Sequence, residues 1–401
     1  MDETRRDDAP RRIALFASSF HPHPGGVEEL VRQLAHAQTA SGLEPTVVTM
    51  RWPKDLPARE TFEGLAVVRF VFRSPQLPAR RLAAAIGLGP VTLAQLVAEL
   101  RSREAQLIHI QCVSPASWYA LQAARILRLP LVVTMQGELT MDATGLYERS
   151  AWARHVLRAV LGAADGITAC SRHTLAEAEA WFGRPFGPRA EVVPNGVDPG
   201  DFAGAEPPPT DDPYVLAIGR HVREKGFDVL LGAFARLASD PSFQHRLVMA
   251  GDGPERPNLE AQAAALGVAG RVDFTGVTDR PRTVTLFRGA DGFVLPSRHE
   301  PFGIVVLEAL AAGVPVVASD VGGVGEFLPR GPLARLVAPG REDAMAAAIA
   351  EVLAARRRTD AMAEFRTQAA AVVASHRWTQ IESRYADCYQ RAVARRAKSS
   401  R

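Results

Sequence analysis

Over the first 200 residues, short β-branched apolar runs alternate with longer Ala/Leu/Arg stretches. This is the pattern of βαβ units around a parallel sheet buried on both faces. RIALFA, PTVVTM, LAVVRFVF, QLIHIQ, LVVTM, GITACS and EVVP are predicted strands, and 27–40, 91–102, 116–127, 151–161 and 174–181 predicted helices. The alternation pauses at 198–213, DPGDFAGAEPPPTDDP, where Pro, Gly and Asp fix turns and cannot fill a core. It restarts with YVLAIG and continues through a helix at 227–237, RLVMAG, a helix near 259–266, VDFTG, GFVLPS, VPVVAS and ARLVAP. From 342 to 396 the pattern is helical, two or three helices without a strand signal. The expectation is an α/β chain of two doubly wound domains, 11–197 and 214–375, joined by a linker at 198–213. A C-terminal helix at 376–396 is expected to pack back on the first domain. Two such sheets facing across a cleft bind ligands at the carboxyl ends of their strands, so motifs that follow strands carry the chemistry.

Composition narrows the class. Of 401 residues, 47 % are apolar and 23 % charged, which excludes a disordered, collagenous or disulfide-scaffold chain. A net charge of +3 is too near balance for the basic footprint of nucleic-acid binding. The three cysteines, Cys112, Cys170 and Cys388, show no C-x-x-C spacing and read as buried thiols in a reducing compartment. No stretch offers the roughly 20 apolar residues of a membrane span. The start MDETRRDDAPRR lacks an apolar h-region. A cytoplasmic protein is expected, with the basic RAVARRAKSSR tail leaving peripheral contact at the inner membrane face open.

Three stretches concentrate candidate chemistry. In SRHEPFGIVVLEALAAGVPVVAS, Glu300 precedes a helix that carries Glu308. Gly303 lets the backbone approach a ligand, and the N–H groups near Phe302, Gly303 and Ile304 open that helix with unpaired donors at its positive end. Spacing alone leaves a polar loop with a capping glutamate equally open. In GRHVREKGF, Arg220 offers a planar fork for phosphate oxygens and Lys225 a point charge. Lys225 stands out because the chain has only two other lysines, Lys54 and Lys398. In PHPGGVEEL, Gly25 and Gly26 form a close-approach loop before a helix. MAGDGPER is a further strand-Gly turn that either lines a site or only turns. G-x-G-x-x-G, the P-loop and G-x-S-x-G are all missing, which demotes dehydrogenases, ordinary NTPases and the common hydrolases. D-x-D is missing too, so no metal is expected. His109, inside a predicted strand, reads as a satisfied core residue.

With VVPNGVDPGDF before the linker, these motifs resemble the retaining glycosyltransferases of family 4, which have the GT-B fold. The resemblance covers most of the chain, and its most specific part is the E-x7-E of Glu300 and Glu308. It implies that Glu308 binds the ribose of a nucleotide sugar, that Glu300 meets the donor sugar and that Arg220 and Lys225 hold the diphosphate. Backbone at Phe302, Gly303 and Ile304 and the loop at Gly25 and Gly26 would complete the donor contacts. One departure stands out: where the family often has a histidine after its fifth strand, this chain has Gln136, which cannot titrate. Glu138 and Asp142 follow on that loop as acceptor candidates, a capped polar loop being the alternative. The implied function is metal-independent transfer from a nucleotide-diphosphate sugar, expected to be a UDP-sugar, to a hydroxyl acceptor. That acceptor is left open between a glycan or glycolipid and a small metabolite such as an aminocyclitol. The alternatives are an impaired nucleotide-sugar-binding protein, or an epimerase or phosphorylase on the same fold.

Overall fold

A computed structural model describes residues 9–23, 25–75, 79–140, 145–204, 206–208 and 212–399. The chain forms two compact units: one runs to Gly196 and resumes at Trp378, the other is Val197–Arg377.

The first unit contains, in order, β1 (Arg12–Ala17), α1 (Gly26–Ala40), β2 (Glu44–Met50), β3 (Arg59–Phe62), β4 (Leu65–Phe70), α2 (Ala79–Ser102) and β5 (Leu107–Gln111). It continues with α3 (Ser117–Leu127), β6 (Leu131–Met135), α4 (Leu146–Arg149), α5 (Ala151–Ala163), β7 (Gly166–Ala169), α6 (Arg172–Phe182) and β8 (Ala190–Val192). The sheet order is β3-β4-β2-β1-β5-β6-β7-β8, parallel except for β3 against β4. Every residue of β5, β6 and β7 is buried, which is why these strands read as unbroken apolar runs. β3, RETF, is a half-exposed edge strand without such a run and was not foreseen.

The C-terminal helix, Trp378–Ser399, belongs to this unit and buries Trp378, Ile381, Tyr385, Cys388, Tyr389 and Ala392 along one stripe. It lies close over β7, where a Cβ on Gly166 would sit 3.1 Å from the Cys388 sulfur. The Tyr389 hydroxyl meets the Gln38 amide at 2.8 Å and His109 Nδ1 at 2.7 Å. His109 Nε2 lies 2.7 Å from the Thr134 hydroxyl, which in turn lies 2.6 Å from that of Thr168. His109 is therefore a core residue with both ring nitrogens engaged.

The second unit contains β9 (Tyr214–Ile218), α7 (Phe227–Ala238), β10 (Arg246–Ala250), α8 (Arg256–Ala265), β11 (Val272–Gly276), α9 (Arg280–Gly289) and β12 (Gly292–Leu295). α10 (Ile304–Ala311), β13 (Val316–Ser319), β14 (Ala334–Val337), α11 (Glu342–Arg356) and α12 (Thr359–Ser375) complete it. Its sheet is parallel throughout, in the order β11-β10-β9-β12-β13-β14. Of the stretch 198–213, expected to link the domains, the turn Pro199–Phe202 packs within this unit. Val197 bridges Arg377, Asp198 caps the turn Pro199–Phe202, and Phe202 is buried edge-on to Phe287. Phe202 thus anchors the turn Pro199–Phe202, whose composition reads as loose. Among the described residues no helix is long and apolar enough to cross a membrane.

Burial pulls the His109 pKa down to about 3. The unfolded chain binds this proton near 6.5, so as pH falls below that value protonation favours unfolding, at up to about 1.4 kcal/mol per pH unit. Urea unfolding between pH 7 and 4 should therefore show a shallower acid loss for His109→Gln than for the parent protein, and equal slopes would refute the assignment.

Candidate active site

The second sheet reverses its strand order between β9 and β12, and in open α/β sheets the crevice at such a switch point takes the ligand. The loop after β9 carries Lys225 and the loop after β12 carries Glu300. The Lys225 ammonium donates to a Glu300 carboxylate oxygen at 2.6 Å, and the Ser297 hydroxyl donates to the same oxygen at 3.1 Å. Only 14 % and 8 % of the two charged side chains remain exposed.

Backbone geometry brings them together. Gly226 has φ of 64°, and a Cβ there would lie 2.1 Å from the Pro296 carbonyl oxygen, so the β9 loop can press onto the end of β12 only with glycine next to Lys225. Arg298 stitches the same two segments: its N–H donates to the Glu224 carbonyl at 2.7 Å and its guanidinium makes a two-point pair with Asp228 at 2.7 and 2.6 Å. On the other side of Glu300, a Cβ on Gly322 would lie 1.7 Å from the Glu300 carbonyl oxygen, which accepts from the Gly323 N–H at 3.2 Å. The MAGDGPER turn buttresses the β9 loop through backbone bonds, His221 N–H to the Asp252 carbonyl and Glu255 N–H to the His221 carbonyl, at 2.8 and 2.9 Å.

α10 begins directly after Gly303, whose φ is 96°, with no side-chain cap. The Val306 N–H turns back to the Gly303 carbonyl at 2.9 Å, and no side chain caps the N–H groups ahead of it, that of Ile304 among them. Phe302 is buried, its ring stacked on Phe327 at 4.8 Å. Glu308 is buried in the second turn and pairs with Arg280 of α9. Arg280 also binds Asp201 at 2.6 and 3.1 Å. Burial alone would lower the Arg280 pKa, but Glu308 and Asp201 outweigh it and hold the guanidinium above its ordinary value. Arg220 is exposed, and its guanidinium makes no ion pair with another described residue.

The first unit carries the remaining candidates. Gly25 and Gly26 are exposed at the start of α1, with open space where a Gly26 Cβ would be. The Glu28 carboxylate reaches back to Gly25 and accepts from the Ser19 hydroxyl, so this helix start already meets an anion of its own chain. The Gln136 amide donates to Gln111 at 3.2 Å and exchanges bonds with Asn195 of the PNGVD motif at 3.2 and 3.3 Å. Glu138 ties two loops together, accepting from the Val113 and Gln136 N–H groups at 2.6 and 2.7 Å. Its burial pushes the carboxyl pKa up to about 7 against the pull of those N–H groups. Asp142 lies outside the described residues. Among the described residues no group of three or more His, Cys, Asp or Glu is arranged to hold a metal ion.

Arg280, Asp201, Arg298 and Gly322 were not foreseen. Arg280 opens α9, RPRTVTLFRG, whose weak amphipathic pattern hid the helix. The strand-end position of Arg298 and the paired glycines at Gly322 and Gly323 were the available signals for the other loops.

Residues 24–201 match the family described as Glycosyltransferase Family 4, and residues 201–369 that described as Glycosyl transferases group 1. The D-inositol 3-phosphate glycosyltransferase of Acidothermus cellulolyticus is 32 % identical over 79 % of this chain and 76 % of its own. The 2-deoxystreptamine glucosyltransferase of Streptomyces kanamyceticus is 30 % identical over 80 % and 88 %. Among solved structures, sucrose-phosphate synthase from Thermosynechococcus elongatus superposes with a TM-score of 0.76 at 25 % identity, covering 96 % of this chain and 99 % of that one. Anabaena HepE, solved in complex with UDP-glucose, superposes at 0.72 and 22 % identity over 94 % and 98 %, a likeness of fold. Two parallel-sheet α/β units and these neighbours define the GT-B fold. The chain belongs to the family 4 glycosyltransferases.

Gly226→Ala should destabilise the second unit by about 2 kcal/mol or more, since left-handed strain of roughly 1–2 kcal/mol adds to the displaced Pro296 carbonyl. Gly267→Ala, also at positive φ but with open space around its Cβ, should cost only the strain. Equal thermal shifts for the two variants would refute the close-approach argument.

Proposed function

We propose that this glycosyltransferase uses a nucleoside diphosphate sugar, a UDP-sugar in the first instance, and transfers the sugar with retained configuration to a hydroxyl of a small polyhydroxylated acceptor. The observation that carries the reading is the Lys225–Glu300 pair at the switch point of the second sheet, beside the uncapped start of α10. An ammonium has three donors, so Lys225 can keep Glu300 and still meet a phosphate oxygen. Glu300, so oriented, accepts from a donor-sugar hydroxyl, and Glu308 accepts from the ribose. Arg220 and the first N–H groups of α10 add to the charge that stabilises the departing diphosphate, in place of a divalent cation. With no protein nucleophile required, the incoming hydroxyl attacks on the face the diphosphate leaves and loses its proton to a leaving phosphate oxygen. The acceptor class is supported by the names of two relatives, which take D-inositol 3-phosphate and 2-deoxystreptamine.

A second reading, a nucleotide-sugar-binding protein that has lost transfer, is favoured by Gln136 alone. The two differ in whether UDP-sugar is consumed when acceptor is supplied.

Thermal-shift titration with UDP, GDP, ADP and dTDP should raise the melting temperature with one nucleotide, and the shift should vanish in Glu308→Ala. No shift with any of them would overturn the donor reading. Lys225→Ala should lower turnover about a hundredfold or more, the scale of removing one donor to a developing anion. EDTA should leave the parent rate within about twofold, and a rate restored only by added Mg²⁺ or Mn²⁺ would overturn the metal-free part.

A further inference from the structure

Two carboxylates far apart in sequence, Asp201 and Glu308, meet around one guanidinium. Arg280 is the first residue of α9, a helix started by Asp279, whose carboxylate accepts from the Arg282 N–H. Its Nε and Nη2 both donate to one Asp201 oxygen, at 3.1 and 2.6 Å, and its Nη1 donates to Glu308. The guanidinium carbon lies 5.3 Å from the Phe202 ring centroid, so an aromatic face sets the plane of the fork. The Asp201–Arg280 pair is about a quarter exposed on each side, and a pair that wet adds little to stability. What the arrangement does supply is direction. A guanidinium is rigid and planar, so fixing one edge on Asp201 fixes where Nη1 points, and with it the carboxylate of Glu308. A glutamate left to itself would share several rotamers, and binding would have to select one of them.

We infer that Arg280, anchored by Asp201, is a positioning residue that holds Glu308 ready for the ribose hydroxyls of the donor. The inference rests on the nucleotide-sugar reading above and adds Arg280, which lies in none of the recognised motifs, and Asp201, which lies in VVPNGVDPGDF with no role assigned to it. Asp201 lies in the segment that opens the second unit, so donor affinity depends on a residue far in sequence from the nucleotide motifs.

The test is calorimetric titration of the full chain with UDP and with 2′,3′-dideoxy-UDP. The parent protein should prefer UDP by about tenfold or more, the scale of hydrogen bonds to a charged group. In Arg280→Ala the preference should fall below about threefold while the dideoxy affinity changes little. Asp201→Asn, which keeps the cation, should give an intermediate preference, and Arg280→Lys should restore part of it. If Arg280→Ala weakens both nucleotides alike with the preference intact, or alters neither, the positioning role is overturned and the ribose assignment stands. A parent protein that binds both nucleotides equally overturns the ribose assignment of Glu308, and one that binds neither overturns the UDP reading. In both of these cases the inference falls with its premise.

Discussion

Glycine at two backbone crossings is the constraint from which the second unit's site follows. A side chain at Gly226 would enter the Pro296 carbonyl, and one at Gly322 would enter that of Glu300. The loops after β9, β12 and β13 are therefore held against one another by main chain, with Arg298 and Asp228 adding a side-chain clasp. An ammonium and a carboxylate on two such loops meet at salt-bridge distance because their backbones have no other place to go. Preorganisation of this kind is what electrostatic stabilisation needs, since charges that must move during reaction lose much of their effect.

The same unit handles its charges by sharing. Glu300 serves Lys225 and Ser297, and Arg280 serves Glu308 and Asp201. A half-buried charge with one partner is vulnerable to losing it, whereas a shared one keeps a counter-ion when a ligand displaces the other. Around His109 in the first unit the course is different: the buried polar groups there are neutral and linked by hydroxyls and amides, so they fix geometry without a desolvated ion.

How far the sequence could be read depended on what each element buries. Strands covered on both faces, such as LIHIQ and LVVTM, are continuous apolar runs and were legible. RETF at the sheet edge was not, because half of it faces water. The helix 79–102 runs through Pro90, whereas the pattern predicts a helix only from Val91, because proline ordinarily ends or opens a helix. At the site, Glu300, Glu308 and Lys225 were legible because a motif marks them, and the resemblance gave them roles that spacing alone could not. Arg280 and Asp201 were not legible, because their pairing exists only once α9 and the turn Pro199–Phe202 are folded against α10. The Pro-rich stretch was read from composition, which has no way of weighing one buried phenylalanine.

The first unit closes only with the last stretch of chain. His109 and Gln38 find their hydroxyl partner at Tyr389, and Gly166 its covering sulfur at Cys388, both within the final 14 residues. A ribosome emits these after all of Val197–Arg377, so the half that begins first is completed last. In the interval its polar groups at the sheet face stand uncovered, while the later half, contiguous in sequence, can fold as soon as it emerges. Vectorial synthesis thus inverts the order of the two units: the half that begins first in the chain waits on a helix that follows the other half.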